Sequence, residues 1–184
     1  SALRAAKPSA VFVFLPGGMG INFVKQYAQA GLSDKIPLYS AYTVDAISLP
    51  ALKGAAVGTF GVQHWSPDLG NTVNRRFVSD YRKKYGKTPS FYSAQAYDTV
   101  MLLDTAIRKA GGISDRAKLR AAMRAGDFPT TRGTFKFNNN HFPIQNIYLR
   151  EAVKDADGSY ATKTRGVIIS AHGDSYAKSC GMKW

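Results

Sequence analysis

The residue types able to carry chemistry are sparse in this sequence and poorly spaced for it. His64, His141 and His172 stand far apart, and the single cysteine, Cys180, sits in a polar tail four residues from the end. One cysteine excludes an internal disulfide framework and a cysteine-rich zinc site. Cys180 is either a free thiol or half of a bridge to residues outside this chain. Ser40 and Ser66 occupy loop positions, and neither lies in a G-x-S-x-G elbow. The nearest paired carboxylates, Asp155 and Asp157, stand beside Gly158, where aspartate is favoured for turn reasons alone. No nucleophile–base set or metal-ligand cluster emerges. The expectation is a protein that is not an enzyme and uses no cofactor.

Gly17-Gly18-Met19-Gly20 follows a predicted strand and precedes a predicted helix. Ligands of open α/β sheets bind at such places, and the free N–H groups of a helix start favour anions. The spacing matches neither G-x-x-x-x-G-K-[ST] nor G-x-G-x-x-G, and no lysine is placed to reach a phosphate. Two readings stay open: a tight turn that needs small residues, or a turn whose backbone lines a pocket. Pro16–Met19 follow the first predicted strand, Ala41-Tyr42-Thr43 the second and His64-Trp65 the third. If the strands are parallel, all three groups share one edge of the sheet. A lining of Tyr, Trp, His, Met and backbone amides suits a small, partly apolar ligand with one or two polar groups.

The elements that must position these residues are legible from periodicity. Ala10–Leu15 is a short apolar run rich in β-formers that ends at Pro16, and it predicts a buried strand. Ile21–Ala30 has helical spacing, with Ile21, Val24, Tyr27 and Ala28 on one face and Gly31 as its stop. Ile36–Ser40 is a second strand, Ile47–Lys53 one or two helical turns ended by Gly54, and Val57–Gln63 a third strand. Strand–helix alternation implies parallel strands joined by right-handed crossovers. Asn71–Tyr85 and Tyr92–Ala110 are helices, the second with an inner stripe of Ala96, Val100, Leu103, Ile107 and Ala110. Ser114 is placed to cap a third helix that runs to about Ala125. Gly133–Phe137, an Asn138-Asn139-Asn140 turn and Ile144–Val153 read as a β-hairpin, with Ile147 and Leu149 as the apolar core of its second strand. Val167–Ile169 is a last short strand, and Asp174–Trp184 holds one helical turn.

The chain has 184 residues, 45% of them hydrophobic and 20% charged, a composition that supports a packed core and argues against disorder. No apolar run approaches the ~18 residues of a membrane span. The 25 basic residues outnumber the 12 acidic ones, for a formal charge of +13. Nucleic acid is one reading of that balance, but the basic residues sit on helices that have apolar faces. Arg75, Arg76, Arg82, Lys83 and Lys84 flank the stripe Val73, Phe77, Tyr81 and Tyr85, which reads as the solvated side of a core helix. No nucleic-acid partner is therefore expected. The chain opens with Ser1, carries no secretory signal, and begins with what looks like the tail of a helix in Ser1–Lys7. The expectation is a fragment of a longer protein.

The ordered motifs resemble a known family. Leu3–Leu32 resembles a helix end, K-P-[SD]-A, apolar strand, Gly-rich turn and Q-A-G-L helix. His64-Trp65-Ser66-Pro67 with Phe77, Tyr81, Tyr85-Gly86 and Thr88-Pro89 is similar to the next helix and its exit, Tyr97-Asp98 to the long helix that follows. Gly133-Thr134-Phe135-Lys136-Phe137 with Tyr148-Leu149-Arg150 resembles a late hairpin. These are features of the solute-binding receptors of branched-chain amino acid type that serve ABC importers, and the likeness covers the C-terminal half of such a receptor. It implies a partial type I periplasmic-binding fold, α/β, with a parallel sheet flanked by helices and a C-terminal β-hairpin. In that scheme residues 1–90 form a second-lobe segment, 91–130 are helices crossing to the first lobe, and 131–184 return to the second lobe through the hairpin and tail.

The resemblance also implies a periplasmic location, a missing N-terminal half, a membrane permease as partner, and a small-molecule ligand held between two lobes. The ligand-lining positions carried over are Pro16, Gly17, Gly18, Met19 and Tyr42, with His64 and Tyr92 as further candidates. Amino-acid binders of the family use an acidic residue where Tyr42 stands, and Asp45 is the nearest carboxylate. Burying an ammonium without an anionic partner costs several kcal/mol, so an aromatic or other small organic acid is favoured. The alternatives are a branched-chain amino acid or amide ligand, or a ligand-sensing regulatory domain on the same fold.

Overall fold

The computed structural model describes residues 2–182. Ser1, the head of the expected helix tail, and Lys183 and Trp184, the end of the expected C-terminal turn, lie outside the described residues. One unit comprises the residues up to Ser66 together with Tyr148–Val167; the other comprises Pro67–Ile147 and the residues from Ile168 onward.

The first unit opens with a short helix, α1 (Ala2–Ala6), and then alternates strand and helix. β1 (Val11–Val13) pairs in parallel with β2 (Leu38–Ala41), and β2 with β3 (Phe60–Gln63). The crossovers carry α2 (Gly18–Gln29), then α3 (Leu49–Leu52), which continues as a 3-10 turn over Lys53–Ala56. These supply Val24, Tyr27, Leu49, Leu52 and Ala56 to a core shared with Leu38, Val44 and Ala152. Each large apolar side chain buried this way contributes ~1.5–3 kcal/mol. The buried Tyr27 hydroxyl is satisfied by donating to the Ile36 carbonyl at 2.8 Å.

After the excursion through the second unit, β5 (Pro143–Lys154) returns antiparallel to β3, with Gly61 opposite Arg150 and Gln63 opposite Tyr148. β6 (Tyr160–His172) pairs with β5. The residues of β5 that are buried in this unit are Tyr148, Arg150 and Ala152, so the strand has the opposite phase to the one expected from Ile147 and Leu149. The cause is Arg150. Its guanidinium donates to Val44 O at 3.1 Å and to Thr162 Oγ1 at 3.2 Å, which lets a cation occupy an inward position. The other face of the sheet carries Phe12, Tyr39 and Phe60 in register across three strands. Phe12 is 66% exposed there, and the Tyr39 and Phe60 rings stack with centroids 5.3 Å apart.

The second unit is mainly helical: α4 (Thr72–Tyr85), α5 (Phe91–Ala110) and α6 (Arg116–Ala125), then β4 (Lys136–Phe137) paired antiparallel with the start of β5. Its anchor is Asp98, 2% exposed, on the inner face of α5. Asp98 accepts from the Thr131 N–H at 2.8 Å, Thr130 Oγ1 at 2.7 Å and Arg132 Nε at 3.0 Å. This network turns Ala94, Asp98 and Ala106 inward. The stripe expected to face inward does the reverse: Val100, Leu103 and Ile107 are exposed. Helix starts are set by side-chain acceptors. Asn71 Oδ1 takes the Asn74 N–H at 2.8 Å, and Asp115, not Ser114, caps α6 by accepting from the Lys118 N–H at 3.0 Å.

Candidate functional site

Because β1, β2 and β3 are parallel, the segments that leave their C-terminal ends emerge on one edge of the first unit's sheet. Six of the seven positions expected to line a ligand lie on these segments: Pro16, Gly17, Gly18 and Met19 after β1, Tyr42 after β2, and His64 after β3. Tyr92 belongs to the second unit, in the first turn of α5, where it is 58% exposed and its ring lies against Phe91.

The glycine-rich segment is the start of a helix rather than a separate turn. α2 begins at Gly18, three residues earlier than periodicity indicates, with Gly17 as N-cap at φ +71°. That φ lies in the left-handed region, which glycine enters without the steric cost other residues meet. No side chain caps this end. The N–H groups of the first turn therefore present their positive end of the helix dipole at the sheet edge, an arrangement that favours an anion. Pro16, Gly17, Gly18 and Met19 are all exposed. Thr43 ties this turn to the next strand tip, since its Oγ1 accepts from the Leu15 N–H at 3.2 Å.

Tyr42 and His64 are brought together. Tyr42 Oη and His64 Nδ1 are 3.0 Å apart, and their rings are tilted by 40°. Tyr42 has φ +53°, an uncommon conformation for a bulky residue and a local strain of ~1–3 kcal/mol. The turn out of β2 aims the phenol at the neighbouring strand tip. Burial pushes the Tyr42 phenol above its ordinary pKa, and the hydrogen bond its oxygen accepts from the His64 backbone N–H and the positive charge of Arg150 draw it partly back. Tyr42 is thus a neutral phenol across the physiological range. His64 is buried, while Tyr42 is half-buried. Trp65, which shares the sequence motif, is 1% exposed and is a core residue.

Asp45, the nearest carboxylate to Tyr42 in sequence, is already committed. Its Oδ1 accepts from the Ile47 N–H at 2.8 Å and the Ser48 N–H at 3.0 Å. Arg150 is the participant that sequence reasoning missed. It lies opposite Gly61 of β3, and its guanidinium reaches the Val44 carbonyl. The available signal was an arginine in phase with Tyr148 and Ala152 on one strand. The strand tips therefore combine a helix start, a buried cation and a phenol–imidazole pair, which together suit a small ligand that is neutral or anionic. Among the described residues no group of His, Cys, Asp and Glu is placed to hold a metal ion, and no helix is long and apolar enough to cross a membrane.

Comparison with known proteins finds a family and relatives of this chain. Residues 1–158 match the family described as periplasmic binding protein. The chain is 36% identical over 159 residues to the Leu/Ile/Val-binding protein homolog 6 of Brucella melitensis, covering 83% of this chain and 41% of that protein. A solute-binding protein of an ABC transporter from R. palustris, solved in complex with benzoate, superposes with a TM-score of 0.83 at 34% identity, over 95% of this chain and 47% of the other. A second, from Rhodopseudomonas palustris in complex with 3,4-dihydroxybenzoic acid, gives 0.82 at 32% identity, over 95% of this chain and 48% of the other. The chain thus spans less than half the length of each of these relatives.

Proposed function

The chain belongs to the periplasmic binding protein family, and on that premise we propose that it is part of a two-lobed receptor that captures a small organic acid, aromatic above all, and presents it to the permease of an ABC importer. Its fold is a partial type I periplasmic-binding fold. The relatives are substrate-binding proteins, and the function proposed is capture without chemistry. The ligand is held at the strand tips, by Pro16, Gly17, Gly18, Met19, Tyr42 and His64. Closure of two lobes over it forms the state that the permease recognises, with the periplasm as the place of action.

One observation carries the ligand class. Where an ammonium would need a carboxylate, the edge holds a neutral phenol bonded to an imidazole, and Asp45 spends its Oδ1 on two backbone N–H groups. An anion meets the opposite situation, with the start of α2 and the Arg150 charge in its favour. The benzoate and dihydroxybenzoate complexes of two neighbours support this reading. The remaining length of such a receptor is the natural cover for the aromatic row Phe12, Tyr39 and Phe60 and for the exposed stripe on α5.

Calorimetry on the full-length receptor tests the proposal, with benzoate, 4-hydroxybenzoate, leucine and valine as ligands. Benzoates are expected to bind at least ~10-fold more tightly than the amino acids, a gap of ~1.4 kcal/mol. Tight leucine or valine binding without benzoate binding overturns it and favours the amino-acid reading that the name of the Brucella relative supports. The 184-residue chain alone is expected to bind more than ~10-fold more weakly than the receptor.

A further inference from the structure

We infer that the C-terminal end of α4 and the loop that leaves it form a docking surface for an anionic phospholipid bilayer. Between Asp80 and Asp98 the sequence carries four basic residues, Arg82, Lys83, Lys84 and Lys87, and no acidic one. All four are exposed. Among the described residues none of them forms an ion pair. Arg82 donates to Thr88 Oγ1 at 3.3 Å, and the carboxylate that precedes them, Asp80, is held by Arg76 at 3.6 Å. The surface shares no residue with the strand-tip group and stands whichever ligand the strand tips hold.

The helix end accounts for only part of this pattern. Arg82, Lys83 and Lys84 lie in the last turn, where cations meet the negative end of the helix dipole. Lys87 stands beyond the left-handed Gly86 that closes the helix, outside that effect. Tyr85 is also unexplained by it. The period of α4 puts Tyr85 on one stripe with Phe77 and Tyr81, yet Phe77 is buried and Tyr85 is 53% exposed. An aromatic ring is thus carried out of the core into the midst of four cations.

That ring stands on a braced ladder. Tyr97 of α5 meets Phe77 with centroids 4.8 Å apart, Phe77 meets Tyr81 at 5.8 Å, and Tyr81 meets Tyr85 at 4.6 Å. The Ser93 hydroxyl donates to Tyr81 Oη at 3.3 Å, which ties the ladder to α5 a second time. Lys84 Nζ lies 5.4 Å from the Tyr85 centroid. A phenol among lysines suits the level of lipid headgroups, with the ring seated in the interface and the ammonium groups reaching the phosphates. Anionic headgroups complement the four cations, each worth a factor of about five in binding. A nucleic acid is served less well, because Tyr85 already engages Tyr81 and Lys84 and is not a bare platform for stacking a base.

Sedimentation of the 184-residue chain with vesicles tests this, using phosphatidylcholine alone and phosphatidylcholine with about one-third phosphatidylglycerol. The anionic vesicles are expected to bind at least ~10-fold more tightly, with the preference lost at high salt. Arg82→Gln, Lys83→Gln, Lys84→Gln and Lys87→Gln combined should weaken that binding at least ~30-fold. Lys35→Gln, Arg116→Gln, Arg120→Gln and Lys136→Gln combined remove the same net charge from exposed positions elsewhere, and should weaken it less than ~5-fold. Tyr85→Ser should weaken it several-fold with all four cations in place. Equal losses from the two glutamine sets mean that net charge alone drives binding, and overturn the inference. So do equal binding to neutral vesicles, no binding to anionic ones, and unaltered binding by the Tyr85→Ser chain. A single-stranded oligonucleotide that the same four cations hold more tightly than the vesicles overturns it as well.

Discussion

Gly20 and Leu15 stand so close that a Cβ built on Gly20 would fall inside the contact radius of the Leu15 carbonyl oxygen, and 2.6 Å from the Thr43 methyl. The first turn of α2 therefore packs directly against the exit of β1, and Thr43 of the neighbouring strand tip closes the gap. The clash is with backbone, which cannot swing aside. Gly20→Ala is expected to cost about 2–4 kcal/mol of stability. Gly18, two residues away on the same turn, has open space around its Cβ direction, and Gly18→Ala should be neutral or slightly stabilising. Urea denaturation of the two variants checks the pair. Equal effects at both positions would remove the packing account.

The parallel strands, their crossovers and the hairpin were legible as apolar or alternating segments between clear breaks. The run Ala10–Leu15, expected to be buried, nevertheless leaves Phe12 and Phe14 exposed, and the last strand runs Tyr160–His172 rather than Val167–Ile169. The start of α2 was not legible, since glycines at its first turn read as a loop when the close approach to Leu15 is unknown. The face of α5 that packs in this chain was hidden for a related reason. A hydrophobic stripe shows which residues can be buried, but the inward face is set by the Asp98 network with Thr130, Thr131 and Arg132, more than thirty residues downstream. The inward placement of Arg150 was hidden because burial of a cation depends on the Val44 carbonyl, which is not local in sequence. At the candidate site, the shared sheet edge followed from strand order alone. The Tyr42–His64 bond did not, because it needs both the strand register and a positive φ at Tyr42.

Tyr42→Phe tests the hydrogen bonding between the phenol and His64. It keeps the ring and removes the hydroxyl that meets His64 Nδ1 at 3.0 Å. Loss of one hydrogen bond of this kind costs ~1 kcal/mol, and more if the imidazole is left without a substitute in its buried setting. Thermal unfolding of the chain should show a small fall in midpoint. In the full-length receptor, the same change should weaken benzoate binding if the phenol orients the ligand or the imidazole. A stability loss with unaltered affinity would assign Tyr42 a structural role only.

The Asp98–Arg132 pair predicts a larger effect. The side chains are 2% and 11% exposed, and burial of the guanidinium opposes its charge while Asp98 supports it. Arg132 also donates to Gln145 Oε1 at 2.9 Å and lies 4.4 Å from the centre of the Phe135 ring. Asp98→Ala strands that cation and two further donors at once, and should destabilise the chain by ~3–5 kcal/mol. Replacing both partners by apolar residues should cost less than the single change, because no uncompensated charge remains. Denaturation midpoints of the single and double variants decide the matter, and a double variant worse than the single would contradict it.

Asp115 supplies a pH test. Its carboxylate caps α6 by accepting from the Lys118 N–H, and this hydrogen bond, the largest influence on the group, holds its pKa below the ordinary aspartate value. A carboxyl whose folded value is depressed stabilises the fold above its unfolded pKa, and the contribution is lost as pH falls through the folded value. Asp115→Asn retains an acceptor at the cap but does not titrate. The gap in urea midpoint between the parent chain and this variant should therefore be constant above about pH 5 and should shrink as pH falls below about 4. Asp157, held low by Ser159 in the turn before β6, titrates in the same window but is common to both proteins and cancels in the difference. A gap that stays flat down to acid unfolding would show that Asp115 caps the helix by geometry alone and that its charge contributes nothing.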